Sequence, residues 1–272
     1  MFVRTLRTAA LLFLLASSLT LAVSSAQAAS PEKVRPVQLY LLTPAQTFPA
    51  DDSVAGLRLG LWYGRNADVT GLDVGSGMAH TTGDLTGLNL SVVSRVAGDV
   101  DGWQTSVVNV TEGGVDGVQV GVFSASGDAR GVQLGGVNLA SGDVRGVGLG
   151  LGNVVEGDFA GGQAGFANSA QGRVRGFQAG FANQVGDADG LQLGAFNLAD
   201  GMTGLQLGAL GAADRTTGLQ LGLVNVSKEA SGLQLGVVNV AGEMDGGVQL
   251  GAINVIRKGG WLLVLPLING SF

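Results

Sequence analysis

The sequence contains no cysteine, so neither a disulfide framework nor a lipid-modified N-terminal cysteine can form. It has one histidine, His80, which cannot build a zinc site without carboxylate ligands. Charged residues make up only 13% of the chain, whereas hydrophobic residues reach 46% and glycine supplies 48 of the 272 residues. This is too apolar for a disordered glycine-rich linker, so we expect a chain that folds or inserts into another structure.

Proline is absent from residues 56–255, and the five prolines lie in the flanks, at Pro31, Pro36, Pro44, Pro49 and Pro266. A proline-free block is expected where every backbone N–H joins a hydrogen-bonded ladder. We therefore predict a repeat array over residues 56–255. An N-terminal cap over 29–55 and a C-terminal cap over 256–272 would cover its exposed edges.

The N-terminus has the features of a secretory signal peptide. Arg4 and Arg7 precede an apolar run over residues 9–23, and Ala26-Gln27-Ala28 follows as a small-x-small cleavage site. We predict a signal peptide over residues 1–28 and export to the periplasm, the outer membrane or the cell surface. Cleavage after residue 28 would leave 13 basic and 21 acidic residues, net −8, a charge that repels nucleic acid.

A repeat of 14 to 16 residues runs through the central block, with the consensus G-[L/V]-Q-[L/V]-G-x-[V/A/F]-N-[V/L] followed by a short turn. Such regularity is typical of an array of identical structural units. Position 1 is the first glycine of each of the 14 units: Gly56, Gly71, Gly87, Gly102, Gly117, Gly131, Gly146, Gly161, Gly176, Gly190, Gly204, Gly218, Gly232 and Gly247.

The frequent glycines disfavour helix, and the β-branched residues favour short strands. One uninterrupted strand would place polar and apolar side chains on both faces, so we expect corners at positions 1 and 5 and near the Gly-Asp turn. The fold predicted is an all-β solenoid of about 14 coils. We expect positions 2, 4, 7 and 9 and the penultimate residue, such as Val144, to point inward.

Amide side chains recur at fixed positions, which predicts ladders along the stack that bond to one another and to the turn backbone. Gln occupies position 3 and Asn position 8, and we interpret both as structural. The predicted ladder residues are Asn138, Asn153, Asn168, Asn183, Asn197, Asn225, Asn239, Asn254, Gln192, Gln206, Gln220, Gln234 and Gln249. Met78 and Ser94 replace the asparagine in units 2 and 3, which predicts irregular early coils.

Position 6 is also frequently apolar, as at Val122, Leu151 and Phe166. Either two units share one larger coil that encloses these residues, or they form an apolar outer stripe. A stripe would be a contact surface for self-association or for a cell-envelope or membrane-associated partner.

An outer-membrane β-barrel is the alternative architecture, because the chain has an export signal, a positive mean hydropathy and a terminal Phe272. Barrel strands need about 9 to 11 residues of clean alternation and girdles of aromatic residues. Here the alternation breaks in every unit and there are only two tyrosines.

Three segments together carry a family resemblance: "VQLYLLTPAQTFPADDSVAGLRLGLWYG", the tandem "GLQLGxxN" units and the closing "GWLLVLPLING". The chain resembles a family of exported bacterial surface-repeat proteins over nearly its whole mature length. The resemblance implies export and a repeat fold, and it implies no catalytic residues.

The sequence contains few motifs typical of catalysis, cofactor binding or metal binding, so we expect no enzymatic activity, cofactor or metal. His80 is expected in a solvent-facing loop, and "GVGLGLGN" lies in the repeat register instead of opening a helix. The acidic turns lack the spacing of calcium-binding rolls, so we interpret them as solvated turn charges. We expect a structural or surface-interaction role in the cell envelope. A carbohydrate-binding solenoid is a further alternative that an aligned aromatic row or a threonine ladder would favour, and the sequence shows neither.

Overall fold

The structure is a computed structural model that describes residues 33–271. The predicted signal peptide, residues 1–28, lies outside these residues, as does Phe272. Among the described residues there is no helix long and apolar enough to cross a membrane. The strands are β1 Val34–Leu42, β2 Ala45–Gln46, β3 Ser53–Asn66, β4 Val69–Gly75, β5 Met78–Thr81, β6 Leu85–Leu90, β7 Val93–Val96, β8 Val100–Thr105, β9 Val108–Thr111, β10 Val115–Ser126, β11 Ala129–Ala140, β12 Val144–Val155, β13 Phe159–Leu235, β14 Val238–Lys258 and β15 Val264–Ser271.

Successive repeats stack in parallel through identical positions. In β10 and β11, Gly117 pairs with Gly131 and every following position keeps the same register. Each repeat therefore makes one coil, and we number the coils 1 to 14 from Gly56 to Gly247. The predicted β-solenoid is confirmed. The barrel alternative is wrong, because the repeats pair in parallel with a one-repeat offset, whereas a membrane barrel pairs antiparallel neighbours.

Position 1 forms a corner that only glycine can occupy. Gly146 has a φ of 144°, a region that side chains with a Cβ rarely adopt. A Cβ there would overlap the carbonyl oxygen of Gly131 in the preceding coil. The repeated glycine thus permits both the turn and the close stacking of coils.

The interior is lined by positions 3, 8 and 10 and by the penultimate residue of each unit, so the prediction that positions 2, 4, 7 and 9 point inward is wrong. In coil 11, Gln206 is buried whereas Leu207 is 43% exposed. In the first strand of each coil, the glycines at positions 1 and 5 lie on the side that faces the interior. Because side chains alternate along a strand, position 3 also faces the interior and the leucines at positions 2 and 4 face outward. The penultimate residue is buried as predicted, at Val100, Val115, Val144 and Val174.

The core has an amide half and an apolar half. Positions 3 and 8 supply mainly buried glutamines and asparagines, and position 10 and the penultimate residue supply a mainly apolar column that forms three clusters along the stack. In the middle of the stack this column includes Val144, Val155, Phe159 and Ala170. Only about four side chains per coil reach the interior, so most of the leucines remain outside.

The two ends of the stack are closed differently. Strand β1 adds a parallel strand before coil 1, where Gln38 lies beside Arg58 and Tyr40 beside Gly60. The Tyr40 ring lies across the interior, where a Cβ on Gly60 would overlap it. At the other end β15 runs antiparallel to β14 and places the buried Asn269 beside Gln249.

Candidate functional site

The asparagines of position 8 form a buried ladder along the stack. Asn153 Nδ2 donates to Asn168 Oδ1 at 2.8 Å and to the carbonyl oxygen of Ala164 at 3.1 Å. The same pattern joins Asn168 to Asn183 at 2.9 Å. The structure places the predicted asparagines in two runs, Asn138, Asn153, Asn168, Asn183 and Asn197, then Asn225, Asn239 and Asn254, separated by Gly211.

The glutamines of position 3 form a second buried ladder with the opposite direction of donation. Gln220 Nε2 donates to Gln206 Oε1 in the preceding coil at 2.9 Å, whereas the asparagines donate toward the following coil. The structure aligns the predicted glutamines Gln192, Gln206, Gln220, Gln234 and Gln249 in this column. Because each amide bonds its neighbours and is buried, both ladders are structural parts of the interior and offer no accessible binding groups.

A buried ion pair occupies the first two coils of the glutamine column. Arg58 Nε donates to Asp73 Oδ1 at 2.8 Å and Nη2 to Oδ2 at 2.5 Å, with both side chains at most 1% exposed. Asn89 Nδ2 adds a 2.5 Å hydrogen bond to the same carboxylate. Sequence analysis missed this cluster, although all three residues stand at position 3 of their repeats. Both carboxylate oxygens of Asp73 accept hydrogen bonds from Arg58, and Oδ2 also accepts one from Asn89. The ion pair is therefore a structural part of the interior.

The first two coils each contain one extra residue before the asparagine position, which shifts the asparagine column. Met78 pairs with Val93, and Ala79 pairs with Ser94. The residue that replaces asparagine in coil 2 is therefore Ala79, and the prediction of Met78 is wrong by one position. The insertion before the strand explains the shift.

His80 lies on strand β5 and is half-buried, so its predicted place in a solvent-facing loop is wrong. Its Nδ1 is 3.1 Å from the hydroxyl of Tyr63. Burial, and then the guanidinium groups of Arg95 and Arg65, lower the pKa of His80 to about 4. The imidazole is thus neutral near pH 7 and pairs with a phenol.

The acidic turns bind the backbone of the next coil. Asp84 N–H donates to Asp68 Oδ1 at 2.8 Å, and Asp99 N–H donates to Asp84 Oδ1 at the same distance. The pattern returns where Asp143 and Asp158 follow Asp128. Each carboxylate therefore holds the adjacent turn. No group of three or more candidate metal ligands exists among the described residues.

Two apolar faces cover much of the outer surface. The first, which we call the leucine face, consists of positions 2 and 4 and carries no charged residue in any of the 14 coils. Its most exposed members are Leu72, Leu90, Trp103, Val147, Leu149, Phe177, Leu207 and Leu235. Exposed apolar patches of this length mark interaction surfaces.

The second face, which we call the ridge, consists of positions 6 and 7 and is likewise uncharged. It is the predicted outer stripe, and the alternative of a larger coil enclosing position 6 is wrong because each coil holds one repeat. Its exposed members are Leu61, Trp62, Val92, Val107, Val122, Val137, Leu151, Phe166, Phe181, Phe196, Leu223, Val237 and Ile253.

Three ridge phenylalanines form an aligned row, which the sequence reading did not find because Phe196 is one position out of phase. The rings of Phe166 and Phe181 stack at 5.0 Å and 8°, and Phe196 meets Phe181 edge-on at 5.3 Å and 69°. Each of these rings partly covers its neighbour, and the three are 60%, 48% and 44% exposed. The row is a hydrophobic projection, and it is the aligned aromatic row that would favour the carbohydrate-binding alternative.

A groove of about 480 Å³ lies at the position-5 corner between the leucine face and the ridge, in coils 3 to 6. Its walls include Val107, Val120 and Val122. Its hydroxyls already have partners, since the Ser91 and Ser106 hydroxyls are 2.8 Å apart. The groove therefore offers an apolar contact without unpaired hydroxyls.

No family model matches the chain, and no match was found among curated proteins or solved structures.

Proposed function

We propose that this chain is a non-enzymatic, exported repeat protein with a structural or surface-interaction role in the bacterial cell envelope. The observation that carries the proposal is the uncharged leucine face, which extends over about 65 Å at about 4.8 Å per coil. A parallel sheet is normally covered on both sides, and here the outer side is open. A partner surface would complete the burial.

The remaining features support the same role. The signal-like residues 1–28 and the resemblance to exported surface-repeat proteins both favour the envelope. Mature net charge of −8 favours partners other than nucleic acid.

The test is to express the full chain in a Gram-negative host, separate periplasm, membranes and cytoplasm, and weigh the protein by mass spectrometry. We expect an exported product that begins at Ala29. The purified product is then sedimented with zwitterionic phospholipid vesicles and, separately, with peptidoglycan sacculi. We expect co-sedimentation with one of them.

Two matched variants in coil 9 assign the contact to a face. Phe177→Asp places a charge on the leucine face, and Phe181→Asp places one on the ridge; the two rings are 42% and 48% exposed. We expect Phe177→Asp to abolish sedimentation and Phe181→Asp to preserve it. A cytoplasmic product that retains residues 1–28, or one that binds neither envelope component, would overturn the proposed function.

A further inference from the structure

We propose that the ridge is a self-association surface, and that two copies of the chain pair through it with their stacks antiparallel. The two-fold axis passes between coils 6 and 7, so that coil n of one copy faces coil 13 − n of the other. This inference concerns the ridge and the groove beside it, and it does not rest on the proposed function, which uses the leucine face.

The area of the ridge and the spacing of its coils both favour a second copy of the chain as the partner that covers it. The proposed axis pairs coils 1 to 12, a ridge length of about 58 Å, which at roughly 10 Å width is on the order of 600 Å² per copy. Stable interfaces bury about 600 to 1,000 Å² per partner. The side chains of the ridge repeat about every 4.8 Å, once per coil. A second copy has the same spacing, so its side chains can fit between those of the first. No charge on positions 6 and 7 would have to be desolvated.

The positions of one groove and one projection determine where the two-fold axis of the proposed dimer lies. The groove spans coils 3 to 6, and a projection formed by Leu151, Phe166 and Phe181 spans coils 7 to 9. Antiparallel pairing about the proposed axis puts each projection into the groove of the other copy, so the same contact forms twice. Self-complementarity of this kind is the requirement for a two-fold dimer.

A glycine flanks the axis and permits close approach. Position 6 of coil 6 is Gly136, which has no side chain to hold the two copies apart. The groove hydroxyls also remain satisfied when covered. Ser91 and Ser106 bond each other, and Thr105 accepts from Trp103 Nε1 at 2.6 Å. Covering the groove therefore leaves these hydroxyls with their present partners.

The first test is the mass of the purified exported chain, measured by size exclusion with light scattering in the absence of detergent. We expect a dimer for the wild type and for Phe177→Asp, and a monomer for Phe181→Asp. Far-ultraviolet circular dichroism of both variants checks that the coils remain folded. A wild-type monomer, or equal dissociation of both variants, would overturn the proposal.

The second test measures orientation, and the absence of cysteine allows single nitroxide labels without background. The exposed Glu229 lies in coil 12, and the exposed Arg145 lies close to the axis. At 4.8 Å per coil, labels at Glu229→Cys should be about 55 Å apart along the stack, and labels at Arg145→Cys less than about 5 Å. If the two label sites give equal separations along the stack, the copies pair in parallel and the antiparallel two-fold arrangement is refuted.

A lipid surface that covers the ridge is the other outcome. In that case Phe181→Asp, and not Phe177→Asp, will lose vesicle binding, which also counts against the dimer.

Discussion

Replacing a single position-1 glycine by alanine should weaken the stack strongly, and Gly146→Ala is the clearest case. Gly146 has a φ of 144°, and its Cβ would overlap the carbonyl oxygen of Gly131. Backbone strain in this region costs about 1–3 kcal/mol. Overpacking a tightly fitted site adds about 1–3 kcal/mol. We therefore expect the free energy of unfolding to fall by about 2–6 kcal/mol.

The same coil provides a matched control in Gly152→Ala. A Cβ on Gly152 would meet its nearest atom, on Val137, at 4.0 Å, and Ala167 already occupies the equivalent place in the next coil. Alanine there should be neutral or stabilise the protein by up to about 1 kcal/mol, because it restricts the unfolded chain.

The assay is equilibrium urea denaturation followed by far-ultraviolet circular dichroism, with hydrogen exchange to locate the loss. Because each coil contacts only its neighbours, exchange should accelerate first in coils 6 to 8. Equal urea midpoints for the two alanine variants would refute the reasoning, since they would mean that φ and coil spacing at Gly146 tolerate a side chain.

Asn168→Asp should destabilise the fold by about 3–5 kcal/mol near pH 7, because it buries an uncompensated charge in the ladder. The loss should shrink as the pH falls and the carboxyl is protonated; the outward Ser169→Asp is the control, and a similar loss in both would contradict the buried-ladder account. For His80, the folded pKa of about 4 lies below the ordinary 6.5, so its neutral form favours folding and that stability is lost as the pH falls from about 6.5 toward 4. The variant His80→Asn should therefore show a shallower decline in urea midpoint over this window, and an identical decline would exclude the histidine as its cause. Burial raises the pKa of Tyr40 to about 12, and its hydroxyl has no hydrogen-bond partner among the described residues. Tyr40→Phe should accordingly raise the thermal midpoint or leave it unchanged, whereas Tyr40→Ala should cost about 3–5 kcal/mol by opening a cavity; a clear loss in Tyr40→Phe would mean that the hydroxyl is bonded.

The architecture was predictable because the glycines carry it. Position 1 recurs at a fixed interval and proline is absent from the block, and both follow from a parallel ladder in which each coil bonds the next. The outer stripe at position 6 was also predictable, since Leu151 and Phe166 break the alternation. These features depend on sequence spacing alone.

The orientation of the leucines was not predictable from hydrophobicity. Gly204 and Gly208 lie on the side of the strand that faces the interior, and Gln206 between them lies on the same side. Leu207 therefore points outward. A sequence rule that places leucine inside fails where backbone geometry fixes the phase first. The same preference concealed the buried pair of Arg58 and Asp73, whose charges satisfy each other inside the stack.

The in-register pairing of coils has a consequence for length. Every coil presents the same backbone groups to the next, so one added 15-residue unit would lengthen the stack by about 4.8 Å and leave its cross-section unchanged. Tyr40 and β15 close the two ends of the stack. The length of the stack is thus set by its number of repeats.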